Sequence, residues 1–329
     1  MRILCKGFNL YNQLNCPAKC PTVGEFQLTG NCSPGDHFSI AHTYSVLASD
    51  TVLKLHCNLV KTQQLDLCNT KISRVTVGDD KLLVLAEDGQ LLKVSLKDWS
   101  PAPLPKFIGN QDRVKCISST SKLFMAYSEN GLLYTIPEQV DFVNRNIVDM
   151  QCGREHCLLL DTDGNVYSFG AGSRGQLGTG QLDDQSSPVL LQALAGIKIA
   201  KIAAGGWHSA AISEEGDLYS WGWNSNGQLG LASFEAGKEK TVSVMATPHV
   251  VDIDNSSSLN VTQVACGTKH TIALLENNHL YGCGFNKYKQ IKSEDREDYN
   301  EFTFIRDFSQ ENVDRILCGP WNSALIVDS

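Results

Sequence analysis

Four histidines stand at one offset within a recurring pattern: His42, His156, His208 and His270. Histidine moves protons and holds metals near neutral pH, so such a set raises catalysis or zinc binding first. A catalytic group is not copied around a repeat, however, and three other copies carry Lys81, Leu123 and Asn322 at this place. The pattern predicts histidines that hydrogen-bond an adjoining loop. Cys5, Cys16, Cys20 and Cys32, with His37 and His42 nearby, are the second candidate. Structural zinc favours tight Cys-x-x-Cys pairs, whereas ten, three and eleven residues intervene here. Cys152, Cys266 and Cys318 each precede a recurring glycine and read as core packing. The third candidate, GAGSRG from Gly170, has the spacing of a dinucleotide fingerprint. That motif needs a helix next to receive the pyrophosphate, and QLGTGQLDDQSSP is turn-rich instead. There is no Gly-x-Ser-x-Gly elbow, HExxH or clustered acid pair, and Asp163 and its counterparts read as turn formers. The expectation is no enzyme, no cofactor and no metal.

The elements that position these residues come from internal repetition. CGREHCLLLDTDGNVYSFGAGSRGQLG from Cys152 lies over AGGWHSAAISEEGDLYSWGWNSNGQLG from Ala204. Gly153 and Gly164 are eleven apart, as are Gly205 and Gly216. A third copy begins at Cys266, with Asn278 at the turn, and a fourth at Cys318. Weaker copies start near Ser39, Gly78 and Thr120, so seven units start near 39, 78, 120, 153, 205, 267 and 319. Each alternates apolar and polar residues about an Asp-Gly or Asn-Gly turn, the mark of a β-hairpin. Seven small sheets that cannot bury both faces alone predict an all-β, seven-bladed β-propeller over residues 1–329 as a single domain. An open β-solenoid is the alternative.

The chain opens on KGFNLYNQL, the tail of a unit without its head. The last unit stops ten residues past Gly319 and lacks that tail. Gly7, Phe8, Asn9, Asn12, Gln13 and Leu14 fall on Gly222, Trp223, Asn224, Gly227, Gln228 and Leu229. Residues 1–14 are thus expected to complete the last blade and remove two exposed sheet edges.

Between each first glycine and the histidine position the residues vary while their frame does not: Arg154-Glu155, Gly206-Trp207, Thr268-Lys269, Pro320-Trp321. A propeller displays such loops together on one face, where binding residues differ over a constant scaffold. Arg154, Glu155, Trp207, Lys269 and Trp321 are therefore the candidate protein-interaction residues, with the two tryptophans as anchors. Trp223 reads as structural. SPAPLP at 100–105, QLDDQSSP at 181–188, residues 231–260 and SEDREDYNE from Ser293 read as loops.

Bulk properties narrow the partners. The chain of 329 residues carries 28 basic and 36 acidic residues, a net charge of −8. A field of that sign repels phosphate backbones, so direct nucleic-acid binding is not expected. No apolar run has the length of a membrane span, and the start is too short for a signal-peptide core. The expected setting is nuclear, chromosomal or cytosolic, with the twelve cysteines reduced and the sequons at Asn31, Asn255 and Asn260 unused.

The Gly-x-x-His-Thr, Asp-Gly-x-Leu-Tyr-x-Trp-Gly and Gly-Gln-Leu-Gly elements resemble the regulator-of-chromosome-condensation repeat family, whose members are seven-bladed propellers. The likeness is strong from Cys152 to Ile291 and degenerate before it. AAGGWHS, WGWNSNGQL and CGPWN are most similar to the branch of the family that partners a Jumonji-C dioxygenase. The resemblance implies an interaction module for such an oxygenase at chromatin or in chromosome segregation. The family also implies a second reading, guanine-nucleotide exchange on a small nuclear GTPase, but its projecting wedge and basic tail find no match here. A light-sensing reading would need Gly-Trp-Arg-His-Thr repeats, and GGWHS shifts the Trp and drops the Arg.

Overall fold

The computed structural model describes residues 1–16, 20–57, 63–104, 112–120, 123–235, 238–241, 243–253 and 259–328, with 63, 232–235 and 238–241 as backbone alone. Asn255 and Ser329 lie outside the described residues, as do parts of the segments at 100–105 and 231–260.

Seven four-stranded antiparallel sheets form the blades of a β-propeller. Blades 1 to 6 follow the chain. Their first strands are His37–Ile40, Ile72–Val77, Val114–Ser119, Ile147–Cys152, Ile199–Ala204 and Val261–Cys266. Blade 7 combines the two ends: Val313–Gly319 and Asn322–Val327, then Arg2–Phe8 and Thr22–Asn31. The first strand of each blade abuts the first strand of the next all the way round the ring. Second strands such as His156–Asp161 and His208–Ser213 are buried along their whole length, because each is covered by a neighbouring blade on both faces.

The N-terminal expectation is met and extended. Arg2–Phe8 pairs with Asn322–Val327 on one side and with Thr22–Asn31 on the other. The chain start therefore contributes two outer strands of the last blade. The predicted superposition also holds in hydrogen bonds: Asn9 Oδ1 accepts from the Leu14 amide at 2.9 Å, as Asn224 does from Leu229 and Asn286 from Ile291. Asn12, at φ 53°, takes the left-handed turn that Gly227 takes at φ 82°.

Four expected loops contain strands or the start of one. Pro101–Pro103, Gln185–Leu190 and Val244–Val251 are the outermost strands of blades 2, 4 and 5, and Asp298–Asp307 begins inside the charged segment of blade 6. A strand at the rim has solvent on one side, so it carries no strong apolar alternation and no repeat signature.

The first unit is also framed two residues later than expected. The amide of Ala41 donates to the Tyr44 carbonyl at 2.8 Å, as Gly153 does to His156 and Gly205 to His208. Tyr44, not His42, therefore occupies the histidine position of blade 1. His42 stacks on Phe8 at 5.2 Å instead.

At the strong repeats the histidines join blades. Nε2 of His156 lies 2.9 Å from Ser209 Oγ, that of His208 2.9 Å from Thr271 Oγ1, and that of His270 3.2 Å from Ser323 Oγ. Each hydroxyl belongs to the next blade and donates to a carbonyl of the Gly-Gln-Leu element, at Gln176, Gln228 or Gln290. Having donated its proton, the hydroxyl must accept from Nε2–H, which fixes the tautomer. Burial holds His156 and His208 down to about 3 and His270 to about 4, far below the ordinary 6.5. Burial thus keeps the rings neutral, with the single proton on Nε2 to make these bonds. The glycine three residues earlier is equally dictated, since a Cβ at Gly153, Gly205 or Gly267 would run into the ring of His156, His208 or His270.

The cysteines pack. Cys5 and Cys16 sit in the core where blade 7 meets blade 1, with Cys20 and Cys32 against it. Burial pushes the Cys5 thiol up to about 12 and the Cys16 thiol to about 11. After Gly170 comes a chain of turns through Asp184 rather than the helix a dinucleotide site needs.

Candidate protein-interaction face

Among the described residues, the loops between first and second strands and those between third and fourth strands emerge at the same end of each blade. Backbone bonds bring them together. The amide of Ala171 donates to Glu155, Trp223 to Trp207 and Phe285 to Lys269, each at 2.8 Å, and Phe8 to Trp321 at 3.0 Å. A third residue is fixed two places before each glutamine. The amides of Arg174, Asn226, Tyr288 and Tyr11 donate to Oε1 of Gln176, Gln228, Gln290 and Gln13. Three display positions per blade result. They read Glu155, Ala171, Arg174 in blade 4 and Trp207, Trp223, Asn226 in blade 5. In blades 6 and 7 they read Lys269, Phe285, Tyr288 and Trp321, Phe8, Tyr11.

Four of the five sequence-predicted residues meet. Trp207 and Trp223 cross edge to face at 5.4 Å. Arg154 lies over the Trp207 ring at 5.2 Å, and Arg174 lies over Trp207 at 4.7 Å and Trp223 at 5.1 Å. Lys269 lies over Trp223 at 4.7 Å. The Trp207 indole N–H donates to Glu155 Oε2 at 3.0 Å, and Arg174 stands 3.8 Å from the same oxygen. Trp223 is therefore part of the cluster rather than a purely structural residue.

Trp321 belongs to a neighbouring group. It meets Phe285 at 5.4 Å and Tyr288 at 5.9 Å, and Tyr288 meets Phe8 at 4.9 Å. Leu10 projects from the adjoining loop, 55% exposed. Lys269 joins the groups, with its ammonium over Trp223 and its carbonyl bonded to Phe285. The result is one arc of aromatic and basic side chains over blades 4 to 7, reaching His42 of blade 1. Trp207, Trp223 and Trp321 are all half-buried, so none is a plug and none is free.

Arg174, Phe285, Tyr288 and Phe8 escaped the sequence reading. The signal was present: a repeat aligned at Gly-Gln-Leu-Gly exposes a variable place two residues before each glutamine, just as alignment at the histidine exposed Trp207 and Trp321.

The model for the "Regulator of chromosome condensation (RCC1) repeat" matches residues 163–212 and 215–274, and a second model of that description matches 147–176, 199–228 and 261–290. The chain carries RCC1 repeats. Human RCC1 domain-containing protein 1 is 35% identical over 206 residues, covering 53% of this chain and 54% of that protein. The Ultraviolet-B receptor UVR8 of Arabidopsis thaliana is 32% identical over 266 residues, 74% of this chain and 57% of that one. This chain thus spans about half the length of the curated relatives it matches. Prp20p of Saccharomyces cerevisiae, solved in a study of its binding to Gsp1p and histones, superposes with TM-score 0.79. It is 18% identical, with 98% of this chain and 90% of that one covered, which establishes the shared fold. The matched RCC1 repeats cover blades 4 to 6, the blades whose seams carry the histidine bonds. No helix among the described residues is long and apolar enough to cross a membrane.

Proposed function

We propose that this RCC1-repeat propeller is a non-enzymatic protein-interaction platform. Its partner is a Jumonji-C, 2-oxoglutarate-dependent oxygenase acting in chromatin regulation and chromosome segregation, in the nucleus or the cytosol. The propeller holds or presents, and the oxygenase does the chemistry. One observation carries this reading: over a frame of constant hydrogen bonds, the display positions gather Trp207, Trp223 and Trp321 with Arg154, Arg174 and Lys269 on one face. Half-buried aromatics ringed by basic groups are the composition of a protein-binding hot spot. The choice of partner rests on the resemblance of AAGGWHS, WGWNSNGQL and CGPWN to the branch of the family that partners such an oxygenase.

The test is affinity purification from nuclear extract with the intact chain, Trp207→Ala and Trp321→Ala, with the Jumonji-C oxygenase as the named prey. Either substitution should weaken binding by about 2 kcal/mol or more, the hot-spot scale. Melting temperature should change little, whereas truncating a core tryptophan such as Trp221 costs about 3–5 kcal/mol. Undiminished binding by both variants would move the interface off this face. Guanine-nucleotide exchange on a small nuclear GTPase is the second reading, favoured by the superposition on Prp20p. Faster nucleotide release from the GTPase would install it in place of the platform.

A further inference from the structure

The basic groups over blades 4 to 6 are used unusually. Arg154, Arg174 and Lys269 spend their flat or apolar surfaces on Trp207 and Trp223. Their donors are largely unspent. Among the described residues the Arg154 guanidinium and the Lys269 ammonium form no ion pair or hydrogen bond, and Arg174 has one loose partner, Glu155 at 3.8 Å. Glu155 is itself engaged by the Trp207 indole. The next carboxylate, Asp298, accepts from Asn226 at 2.9 Å and also lies in the field of Lys269. Stacking on the indoles thus holds three cations in place with only two carboxylates to offset them.

We infer that Arg154, Arg174 and Lys269 form a binding site for the carboxylates of an acidic peptide segment. This rests on the platform reading and gives that partner a chemistry. Complementarity favours this occupant. Three cations facing two carboxylates, Glu155 and Asp298, leave a net positive patch on a chain whose net charge is −8. Guanidinium edges match carboxylates in bidentate geometry. The aromatic group around Trp321, Phe285 and Tyr288, with exposed Leu10, lies beside the cations and offers an apolar side chain of the same segment a seat. A nucleic-acid backbone fits less well, because its phosphates and sugars bring no aliphatic side chain to that apolar seat.

The probe is a synthetic Glu/Asp-rich peptide with one central leucine, titrated into the whole chain at low salt while tryptophan emission is followed, since Trp207 and Trp223 carry the cations. The expected result is binding that weakens as salt rises and disappears when the acids are replaced by Gln and Asn. The Arg154→Gln/Lys269→Gln variant should bind about tenfold more weakly. Glu155→Gln, which removes no cation, should bind more tightly, and this keeps the test decisive if the double variant folds poorly. Absence of peptide binding at low salt, or affinity indifferent to all three substitutions, overturns the site. Tighter binding of a duplex oligonucleotide than of the peptide also overturns it, in favour of phosphate. Loss of the native partner in Trp321→Ala, with no peptide binding, would leave the platform standing and sink only the acidic segment.

Discussion

Blades 4 to 7 and blades 1 to 4 join their neighbours at the same two positions with different chemistry. From blade 4 to blade 7 the pair is histidine and hydroxyl: His156 with Ser209, His208 with Thr271, His270 with Ser323. From blade 1 to blade 4 the same pairs are Tyr44 with Leu82, Lys81 with Phe124, and Leu123 with Cys157. There the Tyr44 hydroxyl donates to the Gly78 carbonyl at 2.7 Å, and Lys81 lies over the Phe124 ring at 4.8 Å. Leu123 packs in the cluster that holds Cys157. Phe124 also explains why Gly78 is still glycine with no histidine above it, because the ring of the next blade fills the space a Cβ would need. A propeller seam therefore demands a filled, satisfied contact and not a particular motif. The histidine seam is a polar solution that leaves a sequence signature. The others are ordinary packing and leave none.

The largest effect should come from the one blade built of both chain ends. Deleting residues 1–31 removes Ile3, Leu4, Cys5, Phe8, Leu14, Val23 and Phe26, all buried, and leaves Asn322–Val327 as an open edge. At about 1.5–3 kcal/mol for each of the six large apolar side chains, the loss is about 9–18 kcal/mol, comparable to the roughly 5–15 kcal/mol that holds a typical domain together. The truncated chain should give no folded monomer by circular dichroism and size-exclusion chromatography. A truncated chain that melts like the intact one would break the closure.

Next in size is acid. His156, His208 and His270 titrate at about 3 to 4 when folded and near 6.5 when unfolded. Their folded values are depressed, so the unfolded chain binds more protons as pH falls. The histidine seams thus contribute fully above about pH 6.5 and are lost progressively toward about pH 3 to 4. At pH 5 each buried ring costs about 2 kcal/mol relative to pH 7. Urea unfolding at the two pH values should show a drop of several kcal/mol. His37 and His56 of blade 1 are also held low by burial, though only half-buried, so the decisive measurement is His208→Asn, the residue type that blade 7 uses at Asn322. This variant should recover about 2 kcal/mol of the pH-dependent loss. An unchanged pH slope would mean the ring is solvated.

Legibility follows the same division. The fold was readable because the histidine seam, the turn glycines and Gly-Gln-Leu-Gly recur at fixed spacing, and polar constraints of that kind permit few substitutes. The register of blade 1 lies two residues from the sequence expectation because Tyr44 does the histidine's work by another bond, and a true histidine stands two places earlier as a decoy. Outer strands such as Gln185–Leu190 look like loops in the sequence because only one side of them meets a sheet. On the loop face, Trp207, Trp321, Arg154, Glu155 and Lys269 were marked by variability within a frame. Arg174 was hidden in a stretch read as a failed nucleotide motif, and what it touches, two indoles of the next blade, depends on how blades sit side by side.

The tyrosine seam tests whether one hydroxyl carries the contact. Tyr44→Phe keeps the ring in its core among Val46, Val84 and Leu92 and leaves the Gly78 carbonyl without that donor. The expected cost is about 1 kcal/mol, seen as a shift of the urea midpoint with unchanged slope. A cost near zero would make the seam purely apolar, and a cost of 3 kcal/mol would make it as polar as the histidine seams.

The smallest effect is expected at Lys81, whose ammonium lies over Phe124, and it separates packing from charge. If the cation over the ring were the fastener, replacing it would cost as much as losing a histidine seam. If the ring filling the space above Gly78 is what matters, the cation is an addition. Lys81→Met retains a flexible stem over Phe124 and substitutes a sulfur–aromatic contact for the ammonium. The cation–ring attraction at a half-solvated site is about 0.5–1 kcal/mol, and the thioether restores part of it. The variant should therefore lose about 0.5 kcal/mol or less, whereas Phe124→Ala, which empties the seam, should lose about 3 kcal/mol or more. Comparable losses in the two variants would mean that blade 2 is fastened by charge, and that the first half of the ring copies the polar logic of the second with different residues.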